Sequence, residues 1–441
     1  MWEGNPLKKK IHFGWFTEYG PIGWDGPDAV EGDWRQPKLY QQMAQICEKG
    51  MFDFVLYADH LGITSSFKGS IDNYVKYGLN GVNHDSTLLA TMVAASTNHL
   101  GVGTTVSTML TPPYLLARQM ASLDHLSMGR VAWNVVTTGN VAGFLNFGMD
   151  QLPDHDARYD QAEEYMELCF KLWSSWEPDA VIMDRKTGVF ADPDKVQPIN
   201  FEGQYYKSRG PLNVLPTPQG RPTIIQAGSS QRGKDFAAKW ADAVIVGAHY
   251  LDDMKAYYDD MKQRVTKFGR EPEQLKVFFI IKPVLGMTEQ LVNQKLEALR
   301  HPPESAIHAA LSALSSRMNY DLSKFNIDEP LPPIDEKEIQ GGQTTLSRFY
   351  TSGRRPTLRE VAIEEAAGNK GSIAGTPEQV ADQLQHIMES VGGDGFVVRV
   401  DTHDHGYMQE FVDTVIPVLQ ARGLVRKEYT GKTLRDNLME F

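Results

Sequence analysis

The sequence predicts an α/β chain folded as a (β/α)8 TIM barrel, with insertions forming a lid over the C-terminal face of the strands. Three observations carry that expectation. Eight short apolar runs alternate with amphipathic stretches of helical length. No two strands of this main run are joined by a tight hairpin, as repeated βα units require. An open doubly wound sheet is the runner-up, but it would bring a Gly-rich nucleotide loop, and no G-x-G-x-x-G or G-x-x-x-x-G-K-[ST] follows any strand.

The elements follow in order. Residues 11–16 read as the first strand and 37–49 as a helix. The second strand, 52–58, is stopped by Asp59-His60 and followed by a helix over 85–98. Strand 100–107 leads into helix 112–126, which ends in a tight Gly129 turn before strand 130–136. That fourth strand is apolar from Val131 to Val136 except for Asn134, as suits a sheet buried on both faces. An amide there is costly unless something bonds to it. The next helix, 159–176, carries Ala162, Tyr165, Met166, Cys169, Leu172, Trp173 and Trp176 at i, i+3, i+4, i+7 spacing. Strands 223–227, 241–247, 275–285 and 394–400 alternate with helices 231–240, 254–268, 376–390 and 408–420. Thr376 is the expected N-cap of its helix, with Glu378 close behind.

Three insertions break the alternation. Residues 61–84 are polar and rich in Gly, Asn and Ser. Residues 178–222 hold an expected hairpin at Ile199-Asn200-Phe201-Glu202-Gly203-Gln204-Tyr205-Tyr206. Residues 301–373 include the Pro-rich 330–333 and the basic Arg354-Arg355. Segments of this length after barrel strands are expected as lids over the active-site face of one domain spanning 1–441.

Composition excludes several functions. The chain is 41% hydrophobic, 23% charged and 10% aromatic, as in a soluble globular protein with a large core. A net charge of −12 argues against a nucleic-acid or anionic-membrane surface, and Lys8-Lys9-Lys10 is too short to reverse it. Cys47 and Cys169 lie in amphipathic stretches and are expected as core thiols. No run reaches the ~18 apolar residues that span a bilayer. Residues 1–10 lack a signal-like apolar stretch, so a cytoplasmic protein is expected.

One stretch is more specific. Ser122-Leu123-Asp124-His125-Leu126-Ser127-Met128-Gly129-Arg130-Val131-Ala132-Trp133-Asn134-Val135-Val136-Thr137 resembles a signature of the bacterial-luciferase-like flavin monooxygenases. Within them it is similar to the branch of nitrilotriacetate, pristinamycin, dibenzothiophene-sulfone and long-chain-alkane monooxygenases. Asp33-Trp34-Arg35-Gln36-Pro37 resembles that branch's Trp-Arg-His-Pro, with Gln36 replacing the His. Asp154-His155-Asp156-Ala157-Arg158-Tyr159-Asp160, Gln226-Ala227-Gly228-Ser229-Ser230 with Gly233, and Leu434-Arg435-Asp436-Asn437-Leu438 agree in collinear order.

The resemblance implies an oxygenase that receives reduced FMN (FMNH2) from a separate NAD(P)H:FMN reductase. Reduced flavin and O2 would form a flavin peroxide that oxygenates a small-molecule substrate. A homodimer or homotetramer is expected, with no nucleic-acid or membrane partner. Asn134 and His155 are the implied catalytic residues. The implied cofactor-binding set is Asp59, Thr105, Asn134, His155, Arg158, Tyr159, Ser229 and Ser230. Asp59 matches a flavin-contacting position, against the alternative of a loop anchor or helix cap. Thr105 matches a ring or ribityl contact, against a core Thr bonded to backbone. Asn134 would bond the isoalloxazine edge or the peroxide. His155 and Tyr159, four apart, would share a helix face near the phosphate and ribityl chain, with Arg158 beside them. Ser229 and Ser230 precede a helix whose N–H groups suit a phosphate, against an ordinary N-cap.

Two features go beyond the resemblance. His403-Asp404-His405 follows the last strand but lacks a second ligand cluster, so a rim contact to substrate or lid is expected ahead of a metal site, with a plain solvated loop as the alternative. The stretch Phe16-Thr17-Glu18-Tyr19-Gly20-Pro21-Ile22-Gly23-Trp24 leaves strand one over the mouth, where its aromatics would line a substrate pocket. The insertion 61–84 resembles that of sulfone- and alkane-oxidising relatives, a lean toward an apolar, aromatic or sulfur-containing substrate. The rival readings are a metal-dependent barrel hydrolase centred on His403 and His405, and a non-catalytic flavin-binding protein.

Overall fold

Eight parallel strands close into a barrel in the computed structural model, which describes residues 10–24, 33–79, 81–248, 250–335, 338–339, 355–367, 373–399, 403 and 405–441. The strands are β1 (His12–Glu18), β2 (Phe54–Ala58), β3 (Gly101–Ser107), β4 (Val131–Val136), β5 (Thr223–Gln226), β6 (Ala243–Val246), β7 (Lys276–Ile281) and β8 (Gly395–Arg399). Each pairs with its neighbours in the series, and β1 closes on β8 with Phe16 opposite Arg399. The crossover helices are α1 (Pro37–Lys49), α2 (Ser86–Ala94), α3 (Pro113–Leu126), α4 (His155–Trp173), α5 (Gln231–Trp240), α6 (Leu251–Lys267) and α7 (Pro377–Val391). A last helical run starts at His405–Glu410 and ends at Ile416–Ala421.

Strand alternation sorts the side chains into two cores. Phe54, Leu56, Ala132, Ile225, Phe278 and Val397 fill the barrel interior, and Leu434 and Leu438 of the helix Leu434–Leu438 plug it from below. Outward residues such as Trp15, Val102, Trp133 and Val244 pack beneath the helices, with the buried thiols Cys47 and Cys169 among them.

The lower end is stitched by a repeated device. Asp53, Asp242 and Asp394 stand just before β2, β6 and β8. Each accepts the backbone N–H of the adjacent strand, from Phe13, Ile224 and Val277 at 3.1, 2.8 and 2.8 Å. Each also meets a base: Arg426 at 2.7 Å, Arg221 at 2.6 Å and Lys262 at 3.0 Å. For Asp53, burial works to raise the carboxyl pKa, but Arg426 and His12 outweigh it and hold it below the ordinary range.

The structure departs from the sequence reading at several ends. Helix 159–176 begins a turn earlier, at His155, and stops at Trp173. Helix 85–98 stops at Ala94. Strand 275–285 is broken: β7 ends at Ile281, and Val284–Leu285 pairs instead with Ala374–Gly375, because Pro283 has no N–H for a ladder. At α7 the reciprocal cap comes from Gln379, which accepts the Thr376 N–H at 2.9 Å, rather than from Glu378. The expected hairpin forms as Phe201–Glu202 against Lys207–Ser208, and an unforeseen one pairs Val181–Asp184 with Val189–Ala191. Val400, Asp404, Arg354 and the lysines at 8 and 9 lie outside the described residues.

The described parts of insertions 61–84 and 301–373 fold on each other. Helix Asp72–Tyr77 lays Tyr74 against helix Glu304–Met318, where the Tyr74 hydroxyl donates to the Ser312 carbonyl at 2.9 Å. With helix Leu358–Ala367 they enclose a separate apolar core that includes Phe67, Leu311, Leu314, Leu322 and Leu358. The backbone N–H of Lys68 donates to Asp321 at 3.0 Å and ties the two insertions further.

Candidate active site

The upper ends of β2, β3 and β4 carry a polar relay. Asn134 lies opposite Thr105 in the β3–β4 register and donates through Nδ2 to Thr105 Oγ1 at 2.9 Å. Thr105 in turn donates to the Tyr57 carbonyl at 2.8 Å. Asn134 Oδ1 is buried without a partner, an unmet acceptor that costs roughly 1–3 kcal/mol. The expected price of a buried amide is therefore only half offset by the protein itself.

Between β4 and β5 lies a second group. The early start of α4 places His155 and Tyr159 on one face, with ring centroids 5.1 Å apart. His155 Nε2 is 3.3 Å from Ser230 Oγ, and Ser230 caps α5 by accepting the Gly233 N–H at 3.0 Å. Buried Tyr159 directs its hydroxyl among Thr137, Gln226 and Ser230, and burial raises its pKa. Arg232 joins Asp160 at 3.0 Å and Glu163 at 3.2 Å, which keeps α5 in register with α4. Ser229 is exposed beside this helix start. At Gly228 the backbone runs close to the Gln226 amide: a Cβ there would come within 2.6 Å of Gln226 Oε1 and displace that side chain. Gln226 Oε1 and Arg158 Nε are further buried atoms without partners. The motif around Gln226 points to its serine hydroxyls as phosphate ligands and gives no sign of this amide, whose burial only the fold decides.

The other expected residues sit apart from these groups. Both Asp59 oxygens are engaged, by Asn83 Nδ2 at 2.7 Å and the Ser86 N–H at 2.9 Å, so Asp59 anchors the loop entering α2. Burial raises its pKa, and those bonds act the other way. Arg158 Nη1 donates to the Pro153 carbonyl at 2.7 Å. His403 is buried. Its Nε2 is 2.7 Å from the Gly20 carbonyl and 3.3 Å from the Tyr40 hydroxyl, and burial lowers its pKa. His405 Nε2 meets the Leu39 carbonyl at 3.1 Å. These imidazoles brace the N-terminal loop and α1 through backbone carbonyls. Among the described residues no three His, Cys, Asp or Glu side chains group to hold a metal.

Diametrically across the mouth, β1 and β8 end on Glu18 and Arg399, with Arg399 Nη2 3.5 Å from Glu18 Oε1. The guanidinium stands 5.0 Å over the Phe16 ring. Sequence reading gave no sign of this pair. A cavity of about 380 Å³ opens between the insertion 61–84 and the helix Val141–Asn146, with Ile63, Ile71, Val141, Ala142 and Leu145 on its wall together with the polar Thr64, Ser65, Ser66, Asn146 and Asn319.

Reduced FMN fits the β4–β5 side. The glycine-lined notch at the start of α5 offers unpaired helix N–H groups to a phosphate, and the orphan Asn134 and Gln226 oxygens offer acceptors to ring or ribityl donors.

The chain matches the family model "Luciferase-like monooxygenase" over residues 11–395. It is 40% identical to the dibenzothiophene-sulfone monooxygenase of Rhodococcus erythropolis (strain XP), over 98% of this chain and 97% of that one. It is 36% identical to the N-acetyl-S-(2-succino)cysteine monooxygenase of Bacillus subtilis (strain 168), over 98% and 96%. The crystal structure of a riboflavin lyase with modified FMN and riboflavin superposes with a TM-score of 0.88 at 33% identity, covering 98% of this chain and 96% of that one.

Proposed function

This chain belongs to the luciferase-like monooxygenases, and from that premise we propose that it is the oxygenase of a two-component pair fed with reduced FMN by a separate NAD(P)H:FMN reductase. It is a flavin-dependent monooxygenase whose cofactor is reduced FMN. Reduced FMN, when bound, supplies the electrons that activate O2. The observation that carries the site assignment is the notch at the start of α5, flanked by His155, Tyr159 and Ser230.

The residues divide the work. Ser229, Ser230 and the α5 N–H groups take the phosphate, and His155 and Tyr159 hold the chain leading from it. Asn134 turns its bare Oδ1 to a ring N–H, while Thr105 and the Tyr57 carbonyl fix the amide's orientation. Arg158 balances phosphate charge from behind, and Asp59 sets the loop 83–86 along the flavin edge. The paired insertions 61–84 and 301–373 cover the mouth of one catalytic domain and exclude water. The 380 Å³ cavity, part apolar and part polar, has room for a small organic substrate, and the lean toward an apolar, aromatic or sulfur-containing body rests on the sulfur-oxidising relatives. A homodimer or homotetramer is the assembly expected of it.

Rapid mixing of protein, reduced FMN and 18O2 tests the reading. The expected result is an absorbance transient absent from free-flavin reoxidation, with 18O in the product. Reoxidation identical to that of free flavin would leave a flavin-binding protein and overturn it.

A further inference from the structure

The hairpin of Val181–Asp184 and Val189–Ala191 is built like an incomplete sheet. Its turn is closely specified. Asp184 accepts the Lys186 N–H at 2.8 Å and the Thr187 hydroxyl at 2.7 Å, and its carbonyl takes the Gly188 N–H at 2.9 Å. The strands have no such support, since no residue from 181 to 191 is buried. A two-stranded ribbon is marginal in water, and its outer edges are open to further pairing.

Register sorts the side chains. Val181 pairs with Ala191, so Ile182 and Phe190 stand opposite each other on the other face. A bulge at Met183, whose φ is +48°, restores the alternation at Asp184, which pairs with Val189. The face of Val181, Asp184 and Ala191 is largely half-buried. The other presents Ile182 and Phe190, each 52% exposed, and Met183 at the bulge is 63% exposed. Apolar side chains gathered on an exposed strand pair mark a contact face.

Charge says what covers it. The tip carries Arg185 and Lys186, both exposed and paired with no carboxylate among the described residues. The base carries Glu177, Asp179, Asp192 and Asp194, of which Lys195 meets Asp179. Tip and base lie about 13 Å apart, the length of a four-residue strand. A two-fold axis through the Ile182–Phe190 face lays two hairpins antiparallel, with each basic tip on the other's acidic base. The hairpin is therefore complementary to itself.

We propose that this hairpin is the surface through which two copies of the chain associate. Ile182, Met183 and Phe190 form its centre, and Arg185 and Lys186 of each copy meet Glu177 and Asp194 of the other. The apolar centre alone is smaller than the ~800 Å² per partner of a standard interface, and the charged tip and base enlarge it. The hairpin follows the C-terminal end of α4, whose 19 residues set it about 28 Å from the notch at His155. The contact thus leaves the two barrel mouths clear.

Sedimentation equilibrium of the full chain at micromolar concentration tests this. The parent chain is expected to associate. I182D/F190D should halve its mass, with the dissociation constant raised about a hundredfold or more. R185E/K186E and E177K/D194K should each weaken association about tenfold when alone. Mixed together, these two should associate as tightly as the parent, because acidic tips then meet basic bases and the unaltered tips still match. Circular dichroism and FMN affinity should be those of the parent throughout, since the hairpin touches neither the core nor the notch. A parent chain that stays single would overturn the proposal, as would an I182D/F190D chain that keeps the parent's mass. So would a mixture of the two charge variants that associates no better than either alone.

Discussion

The carboxylates at the lower end of the barrel and the side-chain amides at its upper end are met in opposite ways. Below, carboxylates are buried but matched: Asp53 meets Arg426, His12 and the Phe13 N–H, and Asp242 meets Arg221 and the Ile224 N–H. Above, Asn134 Oδ1 and Gln226 Oε1 are buried with nothing to meet them. The lower network holds strands in register. The upper one keeps acceptors in waiting, at a cost to stability that a ligand would remove. Polar groups at the two ends should therefore respond to mutation with opposite signs.

The largest effect is expected below. Arg426→Met strands Asp53 with only partial compensation and should cost about 3–5 kcal/mol in a denaturant titration. A loss under 1 kcal/mol would break the contrast. Next is Ser230→Asp, which sets an anion where the phosphate is placed. FMN affinity by fluorescence titration should fall about a hundredfold with little change in melting temperature. Unchanged affinity would refute the notch as the phosphate site. Asn134→Leu removes the unmet acceptor and should lower oxygenation about tenfold, while thermal stability holds or rises by up to ~1 kcal/mol. A destabilisation like that of Arg426→Met would make Asn134 structural.

The smallest effect concerns pH. Burial lowers the His403 pKa from 6.5, against the opposing pull of the Gly20 carbonyl and Glu18. The unfolded chain then binds the proton first, so His403 contributes stability above pH 6.5 that is lost as pH falls through the folded-state value. His403→Gln should flatten the acid side of the melting-temperature profile. An unchanged slope below pH 6.5 would show that the imidazole takes up its proton in the folded chain as readily as in the unfolded one.

Much of this organisation was legible along the chain. The apolar run Val131–Val136 and the 3.6-residue spacing of Ala162, Tyr165, Met166 and Cys169 are local signals, and each element formed within a few residues of its expected place. Ends were less legible. Pro283 cut a strand that hydropathy alone would extend, and the start of α4 at His155 came without a side-chain cap bond. Asp59 shows the limit for site residues. Its position at a strand end was readable, but its bonding to Asn83 and Ser86 depended on how an irregular insertion returned to the rim.

The sequence by itself determined the barrel, the identity of the strand carrying Asn134, the family and the cofactor. Those rest on periodicity and short motifs, which act over a turn or a strand. Tertiary structure alone decided which atoms lack partners and which charges meet. Arg399 and Glu18 are 381 residues apart, and they face each other because β8 closes on β1 with Phe16 opposite Arg399. The two insertions likewise share a core although β3 to β7 separate them in the chain. Closure register is a property of the whole sheet, since each strand's offset depends on all the others, and no local window contains it.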